Sequence, residues 1–212
     1  WAMAAWEYYL YTGDKSWLES VYDGLKYTAL KDIHVAFDAN VGLFKGETCS
    51  MDWRTHTYPN WFINSVIADS FSSGTNALHK FFYQFLGTAG RIIQKPAEEI
   101  AMWEKYSGLL KENINKHFWD EKQGCYTCYL YPEYLGYRPT QRVGVMSNGL
   151  AAVLDIATTG QSIQMVENFP LYPYGAAVLY PSIPDDFSYH NKSVWPVWET
   201  PYMYAARDVK NT

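Results

Sequence analysis

Tyr11-Thr12-Gly13-Asp14-Lys15-Ser16-Trp17 is a helix stop followed at once by a helix start. Gly13 suits the left-handed residue that closes a helix. The Asp14 side chain suits a cap for the free amides that open the next one. Before this stretch, residues 1–11 place Trp1, Ala5, Tyr8 and Tyr9 near one helical face. After it, Trp17, Val21, Leu25 and Thr28 step at helical spacing and predict a second helix from about Ser16 to Leu30. Two amphipathic helices joined by so short a link fold back as an antiparallel hairpin.

Similar segments follow. Pro59 opens a predicted helix that reaches about Phe71, and Ser72-Ser73-Gly74 breaks it. Thr75 or Asn76 then caps a helix to about Gln94, with Leu78, Phe82, Phe85 and Leu86 inside. After Pro96, Ile100, Trp103, Ser107, Leu110, Ile114 and Phe118 mark one face of a long helix. Trp119 to Gly124 turns into a strand over Cys125–Tyr131. Two shorter helices are expected, from Ser147 to about Ala157 and from about Val197 to Asp208. Residues 38–59, with Gly42 and Gly46, read as a loop with a short hairpin. Residues 161–185 carry Pro170, Pro173, Pro181 and Pro184 and read as ordered loop with short strands. Helical hairpins alternating with long loops predict an all-α fold, an α/α toroid, with residues 1–212 forming one domain. No short internal repeat marks a regular solenoid.

Composition narrows the function. The chain carries a net charge of −5 and no basic run, which argues against nucleic acid as a partner. It has no apolar run long enough for a membrane-spanning helix. Its three cysteines are too few for a disulfide framework, and Cys125-x-x-Cys128 lies in a strand pattern without a second metal-binding pair. Buried thiols are the expectation. No glycine-rich phosphate loop and no metal-spaced histidine cluster is present, so neither a nucleotide cofactor nor a catalytic metal is implied. Aromatic residues make up 18% of the chain, a share that fits a ring-packed core, stacking platforms for sugar rings, or both.

The stretch Gly46-Glu47-Thr48-Cys49-Ser50-Met51-Asp52-Trp53-Arg54-Thr55-His56-Thr57-Tyr58-Pro59 concentrates the chemistry. A carboxyl group beside an indole is shielded from water and stays protonated near neutral pH, as a glycosidase general acid must. Asp52 beside Trp53 is that candidate, against a helix cap as the plainer role. Glu47 either binds a sugar hydroxyl or pairs with Arg54, whose planar fork suits a carboxylate or a pair of hydroxyls. His56 is a candidate sugar ligand or a solvated loop histidine. A second constellation holds Asp185, Asp186, Tyr189, His190, Trp195, Trp198 and Glu199, in which Trp195 is the favoured stacking ring. Glu199 is a candidate general base if the chain is complete, and otherwise a hydrogen-bond partner. Asn76 either reaches a sugar or caps its helix.

Four places in the chain resemble the six-hairpin glycosidases, the group of trehalases, processing α-glucosidases and the glucosidase domain of glycogen debranching enzymes. They are Ser50-Met51-Asp52-Trp53, Thr75-Asn76-Ala77-Leu78-His79-Lys80-Phe81, Phe118-Trp119-Asp120-Glu121 with Gly124-Cys125-Tyr126, and Tyr189-His190-Asn191-Lys192-Ser193-Val194-Trp195-Pro196. Their order is that of the family. The resemblance implies an (α/α)6 barrel, here a partial one with about seven or eight helices, long loops and short β hairpins. It implies inverting hydrolysis of an α-linked sugar, with exo action of an α-glucosidase or debranching kind. Asp52 is then the general acid and His190 a residue that faces the sugar. In the family the base usually lies beyond the Trp-Pro helix, so the expectation is a fragment whose remaining barrel lies after Thr212. The implied partner is an oligo- or polysaccharide. Two alternatives stand beside this: a sugar isomerase or epimerase using two of the five histidines, and a non-catalytic carbohydrate-binding toroid.

Overall fold

A computed structural model describes residues 1–48, 57–184 and 189–210. Its helices are α1 (Ala2–Thr12), α2 (Lys15–Ala36), α3 (Asn64–Ala68), α4 (Ser73–Ile92), α5 (Ala97–Phe118), α6 (Val145–Val153), α7 (Thr159–Asn168) and α8 (Pro196–Lys210). Its strands are β1 (Phe37–Asp38), β2 (Leu43–Phe44), β3 (Phe71–Ser72), β4 (Trp119–Asp120), β5 (Cys125–Tyr126), β6 (Tyr129–Glu133), β7 (Gly136–Pro139), β8 (Val143–Gly144), β9 (Leu171–Tyr172), β10 (Gly175–Ala176) and β11 (Leu179–Tyr180). The residues pack as two compact units, Trp1–Phe44 with Leu78–Asn113, and Lys45–Ala77 with Ile114–Thr212.

The all-α expectation is overturned. The described residues are 58% helix and 15% strand, which makes the fold mixed α/β. The strands form small antiparallel sheets: β1–β2, β4–β5, β9–β10, β8–β11 and the three-stranded β3–β6–β7. The physical reason lies in the long connections. Their buried amides and carbonyls need partners, and two-residue ladders between neighbouring loops supply them. The short hairpins were legible; their extent was not.

In the first unit the α1–α2 turn forms as its residues require. Gly13 is left-handed at φ 65° and donates to the Tyr9 carbonyl, and Asp14 accepts from the Trp17 amide. The buried stripe of α2 is Leu18, Tyr22, Leu25 and Ala29, one position round from the expected face. Thr28 is exposed. Tyr22 sets this orientation. Its hydroxyl donates to Glu99 Oε1 at 2.9 Å and accepts from Trp103 Nε1 at 3.2 Å. The burial stripe of α5 is as expected, with Trp103, Ser107, Leu110, Ile114 and Phe118 all buried. His79 lies flat on Phe44, centroids 4.0 Å apart, and Nδ1 is a buried nitrogen with no hydrogen-bond partner.

The second unit departs more from expectation. The helix predicted after Pro59 is only the five residues of α3. Helix α7 occupies part of the stretch read as loop. Its Thr158–Gln161 capping box was the available signal, and the downstream prolines masked it. The core gathers Tyr58, Phe62, Tyr129, Val145, Met165, Phe169, Val178, Trp198 and Tyr202 around the sheets. Cys125 and Cys128 are both buried in it. Helices α6 and α8 approach closely at Gly149, where a Cβ would lie 2.4 Å from the Tyr202 amide nitrogen.

Candidate functional site

Asp52, Trp53, Arg54 and His56 lie in residues 49–56, outside the described residues. Both shoulders of that stretch are described and held. On the leading side, Gly46 donates to the Ser70 carbonyl at 2.8 Å. The Glu47 carbonyl accepts from Thr75 Oγ1 at 2.9 Å, and the Thr48 amide donates to the Tyr58 hydroxyl at 2.9 Å. Tyr58 is buried, which pushes its phenol up to about 12 and keeps it a neutral hydrogen-bonding group. On the trailing side, Arg142 Nη1 donates to the Thr57 carbonyl at 3.1 Å. Thr57 Oγ1 lies 3.3 Å from His190 Nδ1.

Arg142 ties two stretches together. Besides Thr57, its Nε donates to the Pro181 carbonyl at 3.2 Å. The Arg142 side chain is buried; its own carbonyl accepts from the Cys128 amide at 2.8 Å, and the next residue, Val143, pairs with Tyr180 in the β8–β11 ladder. A planar fork with several donors can satisfy two carbonyls at once. Asn191 likewise serves two backbone groups, accepting from the Ile183 amide at 2.7 Å and donating to its carbonyl at 3.0 Å.

His190 is fully buried. Its ring is surrounded by Tyr189, Trp195 and Trp198, with centroids 4.7, 5.0 and 5.1 Å away. The two indoles tilt against each other at 4.5 Å. Trp198 is buried, whereas Trp195 is half-buried and Tyr189 exposed. The described arrangement thus brings Thr57, His190 and Trp195 together, and His190 supports the rings from beneath.

Glu199 lies one turn into α8. Its half-buried carboxylate accepts from the Ala176 amide at 2.6 Å. A Cβ at Gly175 would meet it at 2.8 Å, so this carboxylate is seated on the β9–β10 hairpin. Asn76 is fully buried inside α4, which begins at Ser73 rather than at Thr75 or Asn76, and its Nδ2 donates to the Ser72 carbonyl at 2.9 Å. The N-cap role is therefore corrected to a bond within the first turns of the helix. Glu47 is half-buried. Sequence reasoning missed Thr57, Arg142 and Asn191. The one available signal was an arginine entering the apolar run Val143-Gly144-Val145-Met146. A cavity of about 550 Å³ lined by Asp155, Thr159, Ser162, Tyr204 and Arg207, among others, contains none of the sequence candidates.

No protein-family model and no curated protein matches the chain. Solved structures do. A glycoside hydrolase family 78 rhamnosidase from Bacillus sp. GL1 matches with a TM-score of 0.60 and 16% identity, over 80% of this chain and 17% of the other. The neutral trehalase of Saccharomyces cerevisiae matches with a TM-score of 0.57 and 17% identity, over 72% of this chain and 30% of the other. The chain spans less than a third of the length of either. Identities this low speak for the fold alone, and the fold is glycosidase-like.

Proposed function

We propose that the chain is the acid-bearing part of a glycoside hydrolase of the six-hairpin group, cleaving an α-linked sugar by inverting general acid/base hydrolysis with exo action. The observation that carries this reading is the likeness of its fold to a rhamnosidase and a trehalase. The Asp52-Trp53 stretch and the Tyr189–Pro196 stretch support it, in family order along the chain.

Asp52 protonates the departing glycosidic oxygen, and Trp53 shields its carboxyl so that the proton is present near neutral pH. A second carboxylate activates water on the opposite sugar face. Inversion requires the two groups to be roughly 6.5–9.5 Å apart. The Glu199 bond to the Ala176 amide favours a role in seating the hairpin, with the base supplied by another carboxylate. Trp195 stacks on the sugar, and Glu47, Arg54 and His56 bind its hydroxyls. His190 acts from behind Trp195. The isomerase alternative gains no support from the described histidines: His34 is exposed, His79 lies on Phe44, His117 is half-buried at the end of α5 and His190 lies among tryptophans.

Replacing the acid tests this directly. In the full protein, Asp52→Asn lowers hydrolysis of an α-linked disaccharide by about 10²–10⁴-fold and leaves sugar binding intact. The same variant loses much less on a p-nitrophenyl glycoside, whose leaving group departs without a proton. Equal loss on both substrates, or no loss on either, removes Asp52 as the acid.

A further inference from the structure

The backbone at Tyr189 is unusual. It is a bulky residue held at φ 53°, in the left-handed region that favours glycine. Such conformations are strained and persist only where the surroundings over-determine them. Here they do. His190 and Asn191, the next two residues, are both fully buried. His190 is fixed by Thr57 and two indoles, and the Asn191 amide pairs with both backbone groups of Ile183. The Asn191 backbone also bridges to Leu179, and the Ser193 carbonyl accepts from Val178 at 2.9 Å. With its C-terminal neighbours pinned, the chain holds Tyr189 in a strained conformation that a glycine would adopt freely.

The strain has a geometric result. The Tyr189 ring stands at 89° to the Trp195 indole, centroids 5.1 Å apart, and remains 42% exposed. The two rings make a right-angled corner, and the buried His190 imidazole supports both from below. A flat ring next to a half-buried indole offers what a pyranose needs, an apolar face for its C–H groups.

From this we infer that Tyr189, with Trp195, forms a sugar-binding corner, and that the left-handed backbone at position 189 is retained to aim the phenol ring at the sugar. The inference rests on the glycoside hydrolase reading for its choice of ligand, a pyranose at the end of an α-linked saccharide.

The test compares Tyr189→Gly, Tyr189→Ala and Tyr189→Phe in the full protein. Thermal melting reads the strain. Sugar binding is read by tryptophan fluorescence with maltose, trehalose and methyl α-rhamnoside as probes. Glycine and alanine lose the same ring contacts and differ in their tolerance of positive φ. Tyr189→Gly therefore melts about 2–4 °C above Tyr189→Ala. Both bind the responding sugar about tenfold more weakly than wild type, and Tyr189→Phe stays within about threefold because stacking needs no hydroxyl. Equal melting of the glycine and alanine variants, unchanged affinity in Tyr189→Ala, or no binding of any probe by the wild type overturns the inference. The two readings fail separately. A wild type that binds sugar through Tyr189 but hydrolyses nothing sinks the hydrolase and keeps the corner. A wild type that hydrolyses, with Tyr189→Ala unchanged in KM and kcat, sinks the corner and keeps the hydrolase.

Discussion

His79 illustrates what burial does to a titratable ring. It is packed flat against Phe44, and desolvation lowers its pKa to about 4. The neutral imidazole is the folded form. Between the folded value and the ordinary 6.5 the unfolded chain binds the extra proton, so stability rises with pH across that window. The contribution is complete above about 6.5 and is lost as pH falls toward 4. His79→Phe keeps the stack and removes the proton site. The expected outcome is that wild type loses about 2 kcal/mol more than the variant between pH 7 and pH 4.5, read from urea midpoints. Parallel pH profiles for the two proteins contradict it. The buried thiols give a second check. Burial pushes Cys125 up to about 12, and a thiol reacts as its thiolate. A disulfide reagent should therefore leave Cys125 untouched in the native protein and modify it on unfolding. Rapid native modification of Cys125 is the contrary result.

At the scale of elements, the contact of α6 with α8 is the least forgiving. Gly149 faces Pro201 and the Tyr202 amide, with Pro201 lying inside α8. Backbone cannot swing aside as a flexible side chain can. Gly149→Ala should therefore destabilise by about 1–3 kcal/mol or more, measured by urea denaturation, although alanine is the better helix former. Unchanged stability would mean that the helices are farther apart. Elements also show what a sequence reveals. The α5 stripe was legible because a single period runs unbroken from Trp103 to Phe118. The α2 face was misjudged by one position because Tyr22 is apolar by its ring yet anchored by its hydroxyl to Glu99, a partner far along the chain. Helix α7 was hidden by prolines that lie after it. The small sheets were hidden because two-residue ladders such as Leu179–Gly144 depend on distant loops meeting.

For the whole molecule, each of the two units has its own buried rings: Tyr22, Tyr83 and Trp103 in one, and Tyr58, Tyr129 and Trp198 in the other. The high aromatic content therefore serves core packing in large part. The surface keeps a remainder, among them Trp1, Tyr11, Trp61, Tyr134, Tyr174 and Tyr189. Of the candidate site, the sequence names a carboxylate next to an indole at Asp52-Trp53, outside the described residues, and a Tyr-His with a downstream Trp-Pro, whose Tyr189, His190 and Trp195 rings do pack together. Arg142 was not readable, since its meaning lies in the Thr57 and Pro181 carbonyls, which only folding brings within reach. No helix of the described chain is long and apolar enough to cross a membrane. The fold likeness to two glycoside hydrolases is what turns these local features into one functional reading.

That reading stands or falls on the sugar released. Proton NMR of the anomeric region, followed from the first minutes as the full protein acts on a methyl α-glycoside, whose leaving methanol carries no anomeric centre, reports both cleavage and stereochemistry. The β anomer should accumulate first, and Asp52→Asn should suppress it. Early α anomer, or undiminished release by the variant, would contradict inverting hydrolysis with Asp52 as the acid.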